Sequence, residues 1–172
     1  MIRIREARVE DAKGIAIVHV ESWKTTYAGI VPSEYLASLS VEVRAQAWKE
    51  QLENPALTMF VAEDDRCIFG FACGGKLRDK VAEFDAELFA IYLLHANQRQ
   101  GVGTELLRRV AKTLHDLGFR SLLVWVLEQN PAVVFYQILG ACTVAQKTIE
   151  IGGVQLMELA LGWPSLSVLK QE

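Results

Sequence analysis

Apolar positions along the chain change their period several times, and each change predicts an element. Ile2 to Glu6 alternates between apolar and charged residues and reads as a first strand. From Asp11 the spacing lengthens to that of a helix. Ala12, Ile15, Ala16, His19 and Trp23 fall along one side of it, with Asp11 as its cap, and it runs to about Tyr27 before Gly29 and Pro32 break the pattern. A short helix around Ser33 to Leu39 is expected next. Ser40 then caps a helix reaching Leu52, which Asn54-Pro55 stops. Thr58 to Asp64 and Cys67 to Lys76 are apolar-rich runs joined across Asp64-Asp65-Arg66, the signature of a hairpin. Gly74-Gly75 and the charged stretch Leu77 to Glu83 read as a loop.

The second half is more regular. Leu88 to Leu94 is a seven-residue apolar run with the length and composition of a strand buried on both faces. After a polar turn, Leu106, Leu107, Val110, Ala111 and Leu114 line one side of a helix that Gly118 ends. Ser121 to Leu127 is another buried strand, so this strand–helix–strand unit predicts two parallel neighbours joined by a right-handed crossover. Asn130-Pro131 opens a helix to Leu139, closed by Gly140. Cys142 to Ile151 and Val154 to Leu161, linked by Gly152-Gly153, form a terminal hairpin. The tail from Gly162 carries no pattern. The order predicts a mixed α/β sheet with helices on both sides.

Composition narrows this picture without changing it. The 172 residues are 51% hydrophobic and 23% charged, enough for one globular domain, residues 1–172, with a full core. A formal net charge of −3 without a basic stripe argues against a nucleic-acid surface. No leader-like segment and no apolar run of membrane-spanning length is expected. Cys67, Cys73 and Cys142 lack a metal-ligand spacing and read as reduced thiols of a cytoplasmic protein. Neither a metal site nor a Ser/His or Cys/His nucleophile is expected from the scattered His19, His95 and His115.

Candidate chemistry gathers at two strand-to-helix junctions. In the first, Gln98-Arg99-Gln100-Gly101-Val102-Gly103-Thr104 separates the apolar run from its helix. Such a turn presents unpaired backbone N–H groups to an anion, and its glycines let a phosphate approach the main chain. No Lys-Ser/Thr follows Gly103, so the P-loop pattern fails, and Leu106 stands where a dinucleotide fingerprint needs a third glycine. Spacing alone leaves a diphosphate site of unspecified kind or an ordinary connection. The second junction is Asn130-Pro131-Ala132-Val133-Val134-Phe135-Tyr136, ending in Leu139-Gly140.

Together these stretches resemble the two cofactor-binding motifs of the GNAT superfamily of N-acetyltransferases. Ser22-Trp23-Lys24-Thr25-Thr26-Tyr27-Ala28-Gly29-Ile30-Val31-Pro32 also looks like a bacterial subgroup of it. His95 departs from the proline that many members carry after the central strand. The resemblance implies an acyl-CoA N-acyltransferase fold: a mixed α+β sandwich whose sheet is mostly antiparallel with one parallel strand pair. It implies direct transfer of acetyl from acetyl-CoA to an amine in a ternary complex, without metal. Gln98 to Thr104 would bind the pyrophosphate. A backbone N–H of Leu93 or Leu94 would polarise the thioester carbonyl. Asn130, Ala132, Phe135 and Tyr136 would meet the rest of the cofactor.

Each assignment has a plainer alternative. Tyr136 suits a general acid, since a phenol of pKa about 10 stays protonated at neutral pH, but an aromatic ring can also serve the core alone. Asn130 before Pro131 is a good helix start regardless of cofactor. Glu87 could relay a proton from the incoming ammonium or simply be solvated. Trp23 and Tyr27, one helical turn apart, could wall the acceptor pocket or fill the core. The acceptor is a small-molecule amine or a protein N-terminal or lysine amine, and family habit allows a homodimer. A rival is a catalytically silent CoA-binding sensor or interaction module on the same fold.

Overall fold

The computed structural model describes residues 1–170. Seven strands form one sheet: β1 (Arg3–Glu6), β2 (Thr58–Glu63), β3 (Ile68–Lys76), β4 (Ala86–Leu93), β5 (Leu122–Leu127), β6 (Cys142–Ile151) and β7 (Val154–Trp163). Their order is β1-β2-β3-β4-β5-β7-β6. Every neighbouring pair is antiparallel except β4 and β5, which run parallel as the strand–helix–strand pattern predicts.

Helices cover both faces. The helices α1 (Ala12–Thr26) and α3 (Val41–Leu52) lie on one, with the short α2 (Ser33–Ser38) beside them. On the other lies α4 (Val102–Asp116), whose Leu106, Leu107, Val110 and Leu114 are fully buried. Each such side chain contributes about 1.5–3 kcal/mol relative to exposure, so α4 is fixed firmly against the strands. The last helix, α5 (Ala132–Ile138), follows β5 on the same side.

Several local expectations need correction. Asp11 does not cap α1 through its side chain; its carboxylate takes the Arg5 guanidinium at 2.7 and 2.9 Å and the Arg8 N–H at 2.7 Å instead. Arg5 also reaches Glu63 at 2.7 Å, so this acid ties β1 to β2. Gly74 and Gly75 belong to β3 and not to the following loop. A Cβ on Gly74 would meet the Glu87 carbonyl at 2.7 Å, so only glycine lets β3 and β4 approach there. The tail from Gly162 is also more than an unpatterned end. Trp163, Leu166 and Leu169 are buried, and the Trp163 indole donates to the Leu139 carbonyl at 2.9 Å.

The feature that positions the site is a bulge in β4. Cys73 of β3 faces Ala90 while the next residue, Gly74, faces Leu88, so Phe89 is an extra residue on β4. A bulge bends its strand and disrupts the ladder. Pairing with β5 stops at the same point: Ala86, Glu87 and Leu88 face Leu122, Leu123 and Val124, and nothing beyond. The apolar run is therefore buried only at its start. From Phe89 to Leu94 it is half-buried, along a wedge-shaped opening between two parallel strands.

Candidate active site

The opening has a donor-rich edge. The Leu94 N–H donates to the Phe69 carbonyl at 2.9 Å across β3. Antiparallel pairing alternates direction, so the N–H of Leu93 points the other way, into the opening. Of the two residues expected to offer a free N–H, Leu94 is committed to the sheet and Leu93 is not. The Leu93 carbonyl, in the adjoining peptide, accepts from Ser22 Oγ at 3.3 Å and Gln98 Nε2 at 3.1 Å. These contacts hold the strand end in place. Ser22 stood in the quoted N-terminal stretch, but its spacing gave no sign of this contact.

Next to this edge is the glycine turn. Leu94 leads into a short 3-10 turn, His95–Asn97. Arg99 and Gly101 take left-handed conformations, φ 61° and 81°, and Gly101 is the residue before α4. No side chain caps α4, and Glu105 is the first residue to bond back, to the Gly101 carbonyl at 3.1 Å. The N–H groups of Val102, Gly103 and Thr104 thus emerge together at a positive helix end. Gly101 has open space where a Cβ would be. At Gly103 a Cβ would meet Leu93 Cδ1 at 3.3 Å and Phe135 Cζ at 3.6 Å. A diphosphate fits this cradle: unpaired donors, no side chain in front of them, and Arg99 exposed beside them. Gln98 Nε2 donates to the Leu93 carbonyl at 3.1 Å, and Gln100 Nε2, on the exposed surface, donates to the Ala96 carbonyl at 3.3 Å.

Beyond Gly103 the second motif forms the far wall. Ala132 and Phe135 are half-buried, and Phe135 packs edge-on against Tyr136 with ring centroids 5.3 Å apart. The Tyr136 ring is buried and lies edge-on to Trp163 at 5.9 Å. Its hydroxyl has no hydrogen-bond partner among the described residues, while every fully buried side-chain polar atom has one. The Tyr136 oxygen therefore reaches open space. Burial, with the nearby Tyr27, pushes its pKa well above the ordinary phenol value, so it stays protonated throughout the physiological range.

Asn130 is occupied within the protein at both ends. Its Oδ1 accepts from Ala132 N–H at 2.9 Å and its Nδ2 donates to Tyr27 Oη at 3.2 Å. The helix-start reading describes the contact its Oδ1 makes. Tyr27 is buried at the end of α1, and the half-buried pair beside it is closed by Trp23 Nε1 donating to the Tyr92 hydroxyl at 3.0 Å. Trp23 with Tyr92 and Tyr27 with Asn130 thus form two hydrogen-bonded pairs between the α1 face and the base of α5.

The α1 face of the opening is aromatic and charged. A cleft of about 240 Å³ is lined by His19, Trp23, Arg44, Trp48, Arg78 and Tyr92 among others. His19 accepts from Trp48 Nε1 at 3.1 Å and stacks on Tyr92 at 5.3 Å. Burial, with help from Arg44, depresses its pKa to about 4, so it is neutral at pH 7. Glu87 is neither solvated nor at a free edge. It is buried and clamped by Arg78, Nη2 to Oε1 at 2.5 Å and Nε to Oε2 at 3.1 Å. As a proton relay it would first have to leave that clamp. The loop Leu77 to Glu83 contributes Arg78 to this cleft. The rest of it borders a wider depression of about 680 Å³ against the end of α4. That depression lies at the paired end of β4, away from Leu93.

One acid was not singled out from sequence. Glu158 of β7 faces Leu127, the last residue of β5, and Lys147 of β6. Its side chain is largely covered, and desolvation raises its pKa. The alternation of β7 alone could not reveal it, because its importance comes from the strand beside it.

Comparison with known proteins agrees with this geometry. Residues 20–141 match the model of the acetyltransferase (GNAT) family. The uncharacterized N-acetyltransferase YuaI of Bacillus subtilis is 47% identical over 171 residues, 99% of this chain and 97% of that protein. A spermidine N(1)-acetyltransferase of Thermoplasma acidophilum is 31% identical over 132 residues, covering 75% of this chain and 80% of its own. Among solved structures, the PaiA N-acetyltransferase of Thermoplasma acidophilum in complex with coenzyme A superposes with a TM-score of 0.70. It is 27% identical, with 92% of this chain and 98% of that chain covered.

Proposed function

This chain belongs to the GNAT family of acetyltransferases and is an acetyl-CoA-dependent N-acetyltransferase, and from that premise we propose that it acetylates a primary amine by direct attack in a ternary complex. The observation that carries this reading is the pairing of the free Leu93 N–H with the uncapped start of α4, both on the edge of one opening. Val102, Gly103 and Thr104 hold the pyrophosphate through their main-chain N–H groups, with Arg99 alongside. Ala132 and Phe135 border the path of the pantetheine arm. Leu93 N–H donates to the thioester oxygen, where charge develops as the amine adds. One such donor is worth on the order of 3 kcal/mol in the transition state.

Tyr136 donates to the departing sulfur. Its raised pKa makes it a weak acid before the reaction but a steady hydrogen-bond donor to a thiolate of ordinary pKa about 8.5. Trp23 and Tyr27 wall the acceptor side. A small cationic amine as acceptor is supported by the relation to a spermidine acetyltransferase. A cytoplasmic setting is supported by three free cysteines, two of them exposed. The test is calorimetry with acetyl-CoA followed by thiol release with spermidine and lysine-bearing and N-terminal peptides. Saturable one-site binding and thiol release with at least one amine are expected. Absence of acetyl-CoA binding would overturn the reading. Binding without release from any amine would favour the silent CoA-binding module.

A further inference from the structure

The opening between β4 and β5 has two faces, and the donor motifs account for only one. On the other, three strands bring together residues far apart in sequence. Trp125 and Leu127 of β5 share a face with Glu158 of β7, which lies opposite Leu127, and with Lys147 of β6, which lies opposite Glu158. Facing residues on antiparallel strands have Cβ atoms about 5 Å apart. Leu127 is the last residue of β5, beyond the point where its pairing with β4 has ended. Glu158 is therefore at the mouth of the opening, on the α1 side, where an acceptor must enter.

What occupies this place in the free protein is an ammonium group. Lys147 Nζ lies 3.9 Å from the centroid of the Trp125 ring and 3.7 Å from Glu158 Oε2. An aromatic face and a carboxylate converging on one cation is how proteins recognise alkylammonium ligands. The lysine stem is itself about two-fifths exposed, whereas the carboxylate beneath it is mostly covered. The seat is built and its present occupant can leave.

We propose that Glu158 and the Trp125 ring form the seat for the acceptor's ammonium, that Lys147 fills it in the resting enzyme, and that Glu158 takes the proton that frees the amine. This rests on the acetyl-transfer reading and names the acid that reading lacks. The balance is simple. Glu158 carboxylate removes one proton from R–NH3⁺ and becomes the carboxylic acid. The neutral nitrogen forms its bond to the thioester carbon, and the carbon–sulfur bond breaks. Tyr136 protonates the leaving sulfur and recovers a proton from the amide nitrogen. Net, one proton reaches solvent from Glu158.

Glu158 suits this better than Glu87, whose two oxygens are both held by Arg78. The groups facing Glu158 are Lys147 from β6, Glu87 and Arg78 from across the sheet, and Tyr27 from the end of α1. Desolvation raises its pKa; repulsion from Glu87 adds to the rise, and Lys147 and Arg78 oppose it. An acceptor ammonium that displaces Lys147 keeps one positive charge beside Glu158, and that charge is relieved once the proton has passed to the carboxylate.

The test uses the full chain with coenzyme A present and n-butylammonium chloride as probe, following the Trp125 indole N–H by NMR. A saturable shift is expected in the wild type. Lys147→Met vacates the seat and should tighten probe binding by about threefold, the worth of a partly exposed ion pair. Glu158→Gln should weaken it at least about tenfold, as loss of a covered charge partner does. With spermidine as substrate, Glu158→Gln should also abolish the acidic limb of the kcat/KM profile, which a merely structural acid would leave in place. No shift at Trp125, or an unchanged affinity in Lys147→Met, overturns the proposal. If acetyl-CoA itself fails to bind by calorimetry, the transfer reading falls first, and the two failures are distinguishable.

Discussion

The two halves of β4 differ in how completely they are used. Ala86 to Leu88 are paired on both sides, buried, and carry an acid whose oxygens are both held by an arginine. Past the bulge at Phe89, one edge of the strand is unpaired and Leu93 N–H looks into open space. The same apolar run thus supplies a rigid anchor and an unsatisfied donor. One extra residue separates them. Function is placed where the sheet stops pairing, and stability where it does not.

That contrast can be broken most sharply with two glycines. Gly103→Val fills the phosphate cradle in front of Leu93 and Phe135. Losing about two hydrogen bonds to charged oxygens, at roughly 1.5 kcal/mol or more each, should raise the acetyl-CoA Kd by about a hundredfold in calorimetry. Gly74→Ala acts in the closed half, where its Cβ would strike the Glu87 carbonyl. It should lower stability in urea titration and leave the affinity of the remaining folded protein unaltered. If both variants lost affinity and stability alike, the division of β4 would not hold.

pH sharpens the comparison from the α1 side. His19, under the open half, has its folded pKa lowered to about 4. Between that value and its ordinary 6.5 the unfolded chain binds a proton that the folded one refuses. Stability from this group is therefore complete above about pH 6.5 and is lost as pH falls towards 4, by about 3 kcal/mol at 1.36 kcal/mol per unit. In His19→Asn the urea midpoint should be flatter across that window. Acid-sensitive pairs such as Arg5 with Asp11, whose carboxyl lies below its ordinary range, act only at lower pH.

A smaller effect is expected from Tyr136→Phe, which keeps the ring against Trp163 and removes only the hydroxyl. kcat should fall at least about tenfold while acetyl-CoA affinity stays nearly constant. Equal loss in both would make Tyr136 a binding residue.

Much of this was readable in the chain. The order of elements, both hairpins, the parallel pair and the two strand-to-helix junctions follow from period and turn residues. What stayed hidden depends on neighbours across the sheet. The Phe89 bulge is visible only in its register with Cys73 and Gly74, and without it Leu93 and Leu94 cannot be told apart. Glu87 looked free because Arg78 lies nine positions away in a loop. Glu158 sits in an ordinary alternating strand and gains its place from Leu127 and Lys147. Asp11 had all the marks of a helix cap, yet two arginines claimed it.

The central claim is that the Leu93 N–H donates to the acetyl carbonyl oxygen. Amide proton and nitrogen shifts of Leu93 and Leu94, followed while acetyl-CoA and then coenzyme A are titrated in, address it directly. The account predicts a large downfield shift of the Leu93 N–H with acetyl-CoA, a much smaller one with coenzyme A, and little change at Leu94. A Leu93 signal equally indifferent to both ligands, with binding intact, would contradict it.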